Sequence, residues 1–272
     1  MKNRFLIPFL FLFPLGSFAQ VSLSPTSVFT DANGIGTLYV TNASDKAQEV
    51  NISFLFGYLG NDSLGNQKMI YQDSVKELQS GLGDRIRTFP KSFILAAGQQ
   101  QTVRFQVRPD KNKPSGVYFT RVKISSNEQT SDVEDLATEV ISTKLNLKFE
   151  QIIAAFYKSG NVFTGLEFNN LVGSRNENSI LINSEFKVTG NSPYLGSVQA
   201  EVKDSSGKIV ATHQQTLALY FEGKRNFTIP LPEEVASGTY QVQLVFKTER
   251  SDIPTADLVQ AAPILKTFTV EL

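Results

Sequence analysis

Apolar and polar positions alternate with a period of two along most of the chain, and turn-forming residues break the alternation at short intervals. The pattern predicts strands at Thr37–Thr41, Val50–Phe54, Phe93–Leu95, Thr102–Val107 and Val117–Ile124 in the first half. In the second half it predicts strands at Ile180–Ile182, Val198–Val202, Gly207–Val210, Asn226–Pro230, Gly238–Phe246 and Leu265–Val270. Short strands at this spacing imply sandwiches or barrels. Each half also opens a strong strand with Gly-x-Tyr, at Gly116-Val117-Tyr118 and Gly238-Thr239-Tyr240. A turn that ends on a small residue and goes straight into a packed aromatic suits the penultimate strand of an Ig-like sandwich. The helix-compatible stretch is Ser74 to Leu82. The expected fold is therefore all-β, with two Ig-like β-sandwich domains in tandem. The division is expected at Lys158-Ser159-Gly160-Asn161, giving domains of 20–158 and 159–272.

A length of 272 residues agrees with two domains. Composition mainly narrows the chemistry. Lys plus Arg and Asp plus Glu are both 26, so no basic excess exists to follow a phosphate backbone, and no nucleic-acid partner is expected. Cysteine is absent and His213 is the one histidine, so thiol nucleophiles, disulfides and Cys or His metal sites have no raw material. His213 itself, in the polar run Thr212-His213-Gln214-Gln215, is read as an exposed strand or turn residue. Asp84, Asp204, Asp252 and Asp257 are scattered and lack the spacing of an oxygen-ligand loop. Neither catalysis, a cofactor nor a metal is expected. Phe is 21, Tyr 8 and Trp 0, so the core rests on Phe and β-branched residues.

The first nineteen residues read as a signal peptide. Lys2 and Arg4 precede the apolar run Phe5–Leu15, and Ser17-Phe18-Ala19 sets small residues three and one before a cut after Ala19. The run is shorter than the ~20 residues that a membrane-spanning helix needs. The mature chain is thus expected in the periplasm, starting at Gln20, with 24 basic and 26 acidic side chains once Lys2 and Arg4 are removed.

Five features in order resemble the N-terminal domain of the periplasmic pilus (fimbrial) chaperones, the PapD-like family. They are Val21-Ser22-Leu23-Ser24-Pro25, Leu38-Tyr39-Val40-Thr41-Asn42, the block Phe89-Pro90 to Leu95 with Gly98 and Thr102-Val103-Arg104-Phe105, then Gly116-Val117-Tyr118, and a long strand ending Ala155-Phe156-Tyr157-Lys158. The second half resembles the family more loosely, through Gly190-Asn191-Ser192-Pro193-Tyr194. The resemblance implies a chaperone in protein folding, pilus or fimbrium biogenesis and cell wall organization. Such a protein holds an exported, pilin-like subunit by lending it a donor strand, and works with an outer-membrane assembly protein. The donor residues would be Leu145, Leu147 and Phe149, alternating with Asn146, Lys148 and Glu150. Burying such a side chain stabilises a complex by about 1.5–3 kcal/mol. The same alternation would arise if the three faced their own sandwich core. A structural or adhesive surface module is the other reading of the whole chain.

The chain departs from the family at one point. The family holds its client's terminal carboxylate with two basic residues in the cleft between domains. The matching positions here are Ser27 (or Thr26) and Ala154, which are uncharged. Either the client is not held by its terminus, or another cation such as Lys158, Lys144, Arg104 or Arg121 substitutes. Lys158 is also suited to an interdomain ion pair. The segment Asn127–Leu136 reads as a solvated acidic loop, and Gly57–Gly83 as an insertion with room for an extra hairpin.

Overall fold

A computed structural model of the protein describes residues 21–129 and 147–272. The leader, Lys144, Leu145 and most of the acidic loop lie outside the described residues. The fold is all-β, two Ig-like sandwiches in tandem.

The first sandwich has two sheets. One contains β1 (Val21–Ser24), β3 (Ile35–Asn42), β9 (Gln100–Val107) and β7 (Ile86–Phe89), in the order β1-β3-β9-β7. The other runs β2-β11-β10-β4-β8, from β2 (Ser27–Phe29), β11 (Lys148–Ser159), β10 (Gly116–Glu128), β4 (Gln48–Leu55) and β8 (Ser92–Leu95). Alternation explains the packing. Along β3, Leu38 and Val40 point inward with Val103, Phe105 and Val107 of β9, against Val50 and Ile52 of β4 and Val122 and Ile124 of β10. Asn42 ends β3 fully buried, with Nδ2 within 2.7–3.1 Å of the carbonyls of Lys46, Leu95 and Ala96. It thereby ties the following turn to the end of β8, as a buried amide must find acceptors.

The second sandwich pairs β12 (Thr164–Asn176), β13 (Ser179–Gly190) and β16 (Glu222–Pro230) in one sheet. The other is β15-β14-β17-β18, from β14 (Tyr194–Lys203), β15 (Ile209–Leu219), β17 (Thr239–Lys247) and β18 (Ile264–Glu271). Its core holds Ile180, Ile182, Tyr194, Val202, Leu217, Phe227, Ile229, Val242, Leu244 and Phe246. His213 lies within β15, an edge strand, paired with Ala200, and is half-buried and not fully exposed.

Both Gly-x-Tyr motifs do the same work. The Tyr118 hydroxyl donates to Pro114 O at 2.7 Å, and the Tyr240 hydroxyl donates to Ala236 O at 2.9 Å. In each sandwich the ring is buried and the hydroxyl pins the turn four residues upstream, the arrangement of a tyrosine corner.

The insertion folds as β5 (Gly57–Asn61) paired with β6 (Gln67–Tyr71), followed by α1 (Ser74–Ser80). Asp73 caps the helix by accepting from Lys76 N at 3.0 Å, and also accepts the Tyr58 hydroxyl at 2.8 Å. Of the readings that the sequence leaves open for this segment, a hairpin and a short helix are the ones present.

Candidate functional site

β11 pairs with β10 along its whole length, from Gly116↔Ser159 to Asn127↔Lys148. On its other side the parallel strand β2 covers only Ala154–Phe156. From Lys148 to Ile153 that side has no strand partner among the described residues. This is an open edge of about 20 Å at ~3.4 Å per residue, with backbone donors and acceptors available for a further strand.

Alternation sets what the edge shows. Ile153, Ala155 and Tyr157 point into the core of the first sandwich. Gln151 shares that side and donates to Val21 O at 2.7 Å. Phe149 and Leu147 lie beyond that contact, outside the core, with 43% and 52% of their surface exposed. Ile152, on the opposite face, is also exposed. Charged side chains punctuate the row: Lys123 lies 3.3 Å and Lys148 3.6 Å from a Glu150 carboxylate oxygen. The hydrogen bond from Lys123 is the main reason that the Glu150 carboxyl is held below its ordinary range.

Ser27 and Ala154, the two uncharged positions flagged in the sequence, are direct register partners. On its other side Ala154 pairs with Arg121. The three form a row across the sheet at the mouth of the interdomain cleft. Sequence could name Arg121 as a cation but not place it, because the register of β10 against β11 decides its neighbours. Arg121 Nε donates to Gly57 O at 3.0 Å and Nη2 to the Tyr220 hydroxyl at 3.1 Å. Lys158 reaches the second sandwich, donating to Ala256 O at 3.1 Å. Burial pushes its ammonium below the usual lysine range, and nearby Asp257 opposes that shift.

Apolar side chains of the two sandwiches meet behind this row. Phe56, Tyr58, Val117, Phe119, Ala154 and Phe156 meet Leu195, Tyr220, Ile253 and Leu258 in a third apolar cluster. Phe119 is edge-on to Tyr220 at 4.8 Å, and Tyr58 is edge-on to Phe221 at 4.8 Å. The Lys76 ammonium lies 4.3 Å from the Phe221 ring centre. At the hairpin tip Asn226 Nδ2 donates to Leu64 O at 2.7 Å and Asn226 N to Gly65 O at 3.1 Å. Gly65 is required there: its φ is +87°, and a Cβ would sit 2.5 Å from Asn226 Oδ1. Asn191 completes the joint, donating from Nδ2 to Ser115 O and Asn161 O while its carbonyl accepts Val117 N. Nothing in the alternation of residues 57–71 announces this docking, since its partners lie more than 120 residues on.

No protein-family model matches the chain, and no curated protein matches it. Among solved structures it is similar to pilus chaperones. The YadV chaperone is 11% identical, with 92% of this chain and all of that one covered and a TM-score of 0.43. A chain of the Salmonella enterica SafA pilin–SafB chaperone complex is 14% identical over 92% and 97%, with a TM-score of 0.43. A chain of the CsuC–CsuE chaperone–tip adhesion subunit complex of Acinetobacter baumannii is 12% identical over 93% and 98%, with a TM-score of 0.40. The described residues contain no helix long and apolar enough to cross a membrane.

Proposed function

We infer that the protein is a periplasmic chaperone that holds an exported pilus or surface subunit by lending it strand β11, and that it hands that subunit to an outer-membrane assembly partner. The observation that carries this reading is the open edge Lys148–Ile153 bordered by exposed Leu147 and Phe149. An unpaired edge with an apolar stripe is a hazard in a protein that has no use for it. A subunit strand on this edge would gain backbone pairing and bury the stripe, which Leu145 is expected to continue. On this reading the mature chain begins at Gln20, and the division between the sandwiches falls at Lys158–Asn161.

The substitution Leu147→Asp tests it. Leu147 lies outside the core, so the variant should unfold within about 0.5 kcal/mol of the parent. It should fail to retain the subunit that co-purifies stoichiometrically with the parent from a periplasmic extract, because a carboxylate would enter a dry interface. A loss of several kcal/mol would return Leu147 to the core and remove the donor role. A stable variant that still retains the subunit would remove it too.

A further inference from the structure

The hairpin tip and the second sandwich border a polar pocket that strand lending does not use. It lies against the outer face of the β12-β13-β16 sheet, has a volume of about 280 Å³, and is walled on one side by Ser63 and Leu64. Its floor is made of two rows across the sheet. Asn170, Glu185 and Lys224 are register partners in one row, and Asn183 pairs with Asn226 in the next. Asn is depleted in strands, because its amide favours turns, so three on one face call for a reason. A β-bulge places one of them. The register shifts between Phe168 and Asn170 and leaves Asn169 without a partner. Leu171 still packs against the core, while Asn170 is exposed opposite Glu185. Bulges recur next to active sites, where they re-aim side chains.

The wall is fixed by the protein's own bonds. Asp62 Oδ1 accepts Leu64 N and Asn66 N, each at 2.9 Å, which sets the turn. Asn226 Nδ2 ties Leu64 O to the sheet at 2.7 Å. The polar groups of the lining are largely unengaged. The Ser63 hydroxyl and the side-chain amides of Asn170 and Asn183 have no hydrogen-bond partner among the described residues. Glu185 and Lys224 meet each other at 3.4 Å.

These properties select the ligand. Leu64, 72% exposed, is the one large apolar side chain among the described lining residues, so a hydrocarbon finds little surface to bury. The Glu185 carboxylate and the Lys224 ammonium neutralise each other, so an ionic ligand meets no net charge. Amides and a hydroxyl remain, groups that both donate and accept. Their complement is a neutral ligand rich in hydroxyls, with a C–H face to lie on Leu64. The volume is just under the ~300 Å³ at which pockets for drug-sized ligands begin, which suits a single ring. We propose that the pocket binds a neutral saccharide unit, one pyranose ring of a glycan, held by Asn170, Asn183 and the Glu185–Lys224 pair against Leu64. The proposal goes beyond strand lending and does not rest on it, since the pocket contains no residue of the edge Lys148–Ile153.

The probes are the methyl glycosides of glucose, mannose, galactose and N-acetylglucosamine, titrated into the full mature protein. Binding is read from the NMR shifts of the asparagine side-chain amides. At least one glycoside should saturate with a Kd of about 1–10 mM, the strength that a few hydrogen bonds at a surface pocket supply. It should move the Asn170 and Asn183 resonances. Asn170→Ala and Asn183→Ala should each weaken binding about tenfold. Both side chains are exposed, so urea unfolding of the two variants should match the parent. Leu64→Ser, at the exposed turn, offers a third variant outside the sheet and should weaken binding as well. The inference is overturned if none of the four glycosides shifts these amides at about 100 mM. It is overturned too if a glycoside binds equally well to the Asn170→Ala, Asn183→Ala double variant, which would put the sugar elsewhere. Glucuronate or glucosamine binding about tenfold more tightly than methyl glucoside would show that the pocket reads charge, and would remove the neutral class.

Discussion

Replacing Phe221 with Ala would remove a ring that three elements of the first sandwich's side share. Tyr58 of the hairpin stands edge-on to it at 4.8 Å, Phe119 of β10 lies 6.4 Å away, and Lys76 of the helix sits over its face at 4.3 Å. A fully buried Phe→Ala change costs about 3–5 kcal/mol. Phe221 is half-buried, so we expect about 2–3 kcal/mol, of which the edge contact with Tyr58 is ~0.5–1.5 and the lysine ~0.5–1. The two sandwich cores do not include Phe221. The loss should therefore fall on their coupling. Calorimetry of the mature protein should show the unfolding transition broaden or split, and limited proteolysis should find new cleavage near Leu64–Gly65 as the hairpin tip leaves Asn226. A double-mutant cycle with Lys76→Met should return an interaction term of about 0.5–1 kcal/mol. If the variant loses 2–3 kcal/mol as one transition of unchanged shape, with no new cleavage, Phe221 is an ordinary core residue and the joint is not where we place it.

Three further outcomes are open to direct measurement. Tyr118→Phe and Tyr240→Phe should each lower stability in urea by about 1 kcal/mol, since each removes one hydroxyl from the same kind of corner; a change in only one sandwich would show that the two corners are not equivalent. Asp73 is held below the ordinary carboxylate range first by the Lys76 backbone N–H and then by the Tyr58 hydroxyl. Its contribution is complete above its unfolded pKa and is lost as pH falls through the lower folded value, so the protection of amides in the hairpin and helix, corrected for the intrinsic exchange rate at each pH, should fall on acidification below the carboxylate range, less so in Asp73→Asn. Arg225 is 3% exposed, its Nε has no hydrogen-bond partner among the described residues, and burial pushes its pKa down. Arg225→Met should then stabilise the protein by about 1–3 kcal/mol, and a comparable loss on urea unfolding would show that the guanidinium is engaged.

The strands that alternation revealed are those with one face on a core. β9 is an instance, with Val103, Phe105 and Val107 inward and Arg104 and Gln106 outward. β12 was not legible. It is an edge strand with a register shift between Phe168 and Asn170, and beyond the shift it is mostly exposed, so no clean period survives. β15 continues through Thr212-His213-Gln214-Gln215 because β14 pairs with it, a neighbour that its own polar composition does not disclose. At the candidate site, the spacing of Leu147 and Phe149 was plain in the sequence. Whether a sheet covers them was not, since that depends on how the two sheets of the first sandwich are placed against each other around Gln151. The facing of Ser27 and Ala154 likewise depends on a parallel register between the two ends of the first sandwich.

That parallel pair also orders events in time. Thr30 and Phe156, which meet where β2 joins β11, are 126 residues apart in sequence. Contacts of such separation carry a large loop-closure cost before they return anything, and they form late. A chain delivered from its N-terminus cannot finish the first sandwich until more than half of its length has arrived, and until then β2 and the outer side of β10 wait for the same strand. The second sandwich starts from near neighbours, since β12 and β13 meet across Asn176 and Ser179 and β14 and β15 are adjacent in sequence, although it too is completed only by β18 (Ile264–Glu271). Refolding followed by pulse-labelled hydrogen exchange should show protection in β12–β13 before it appears in β11.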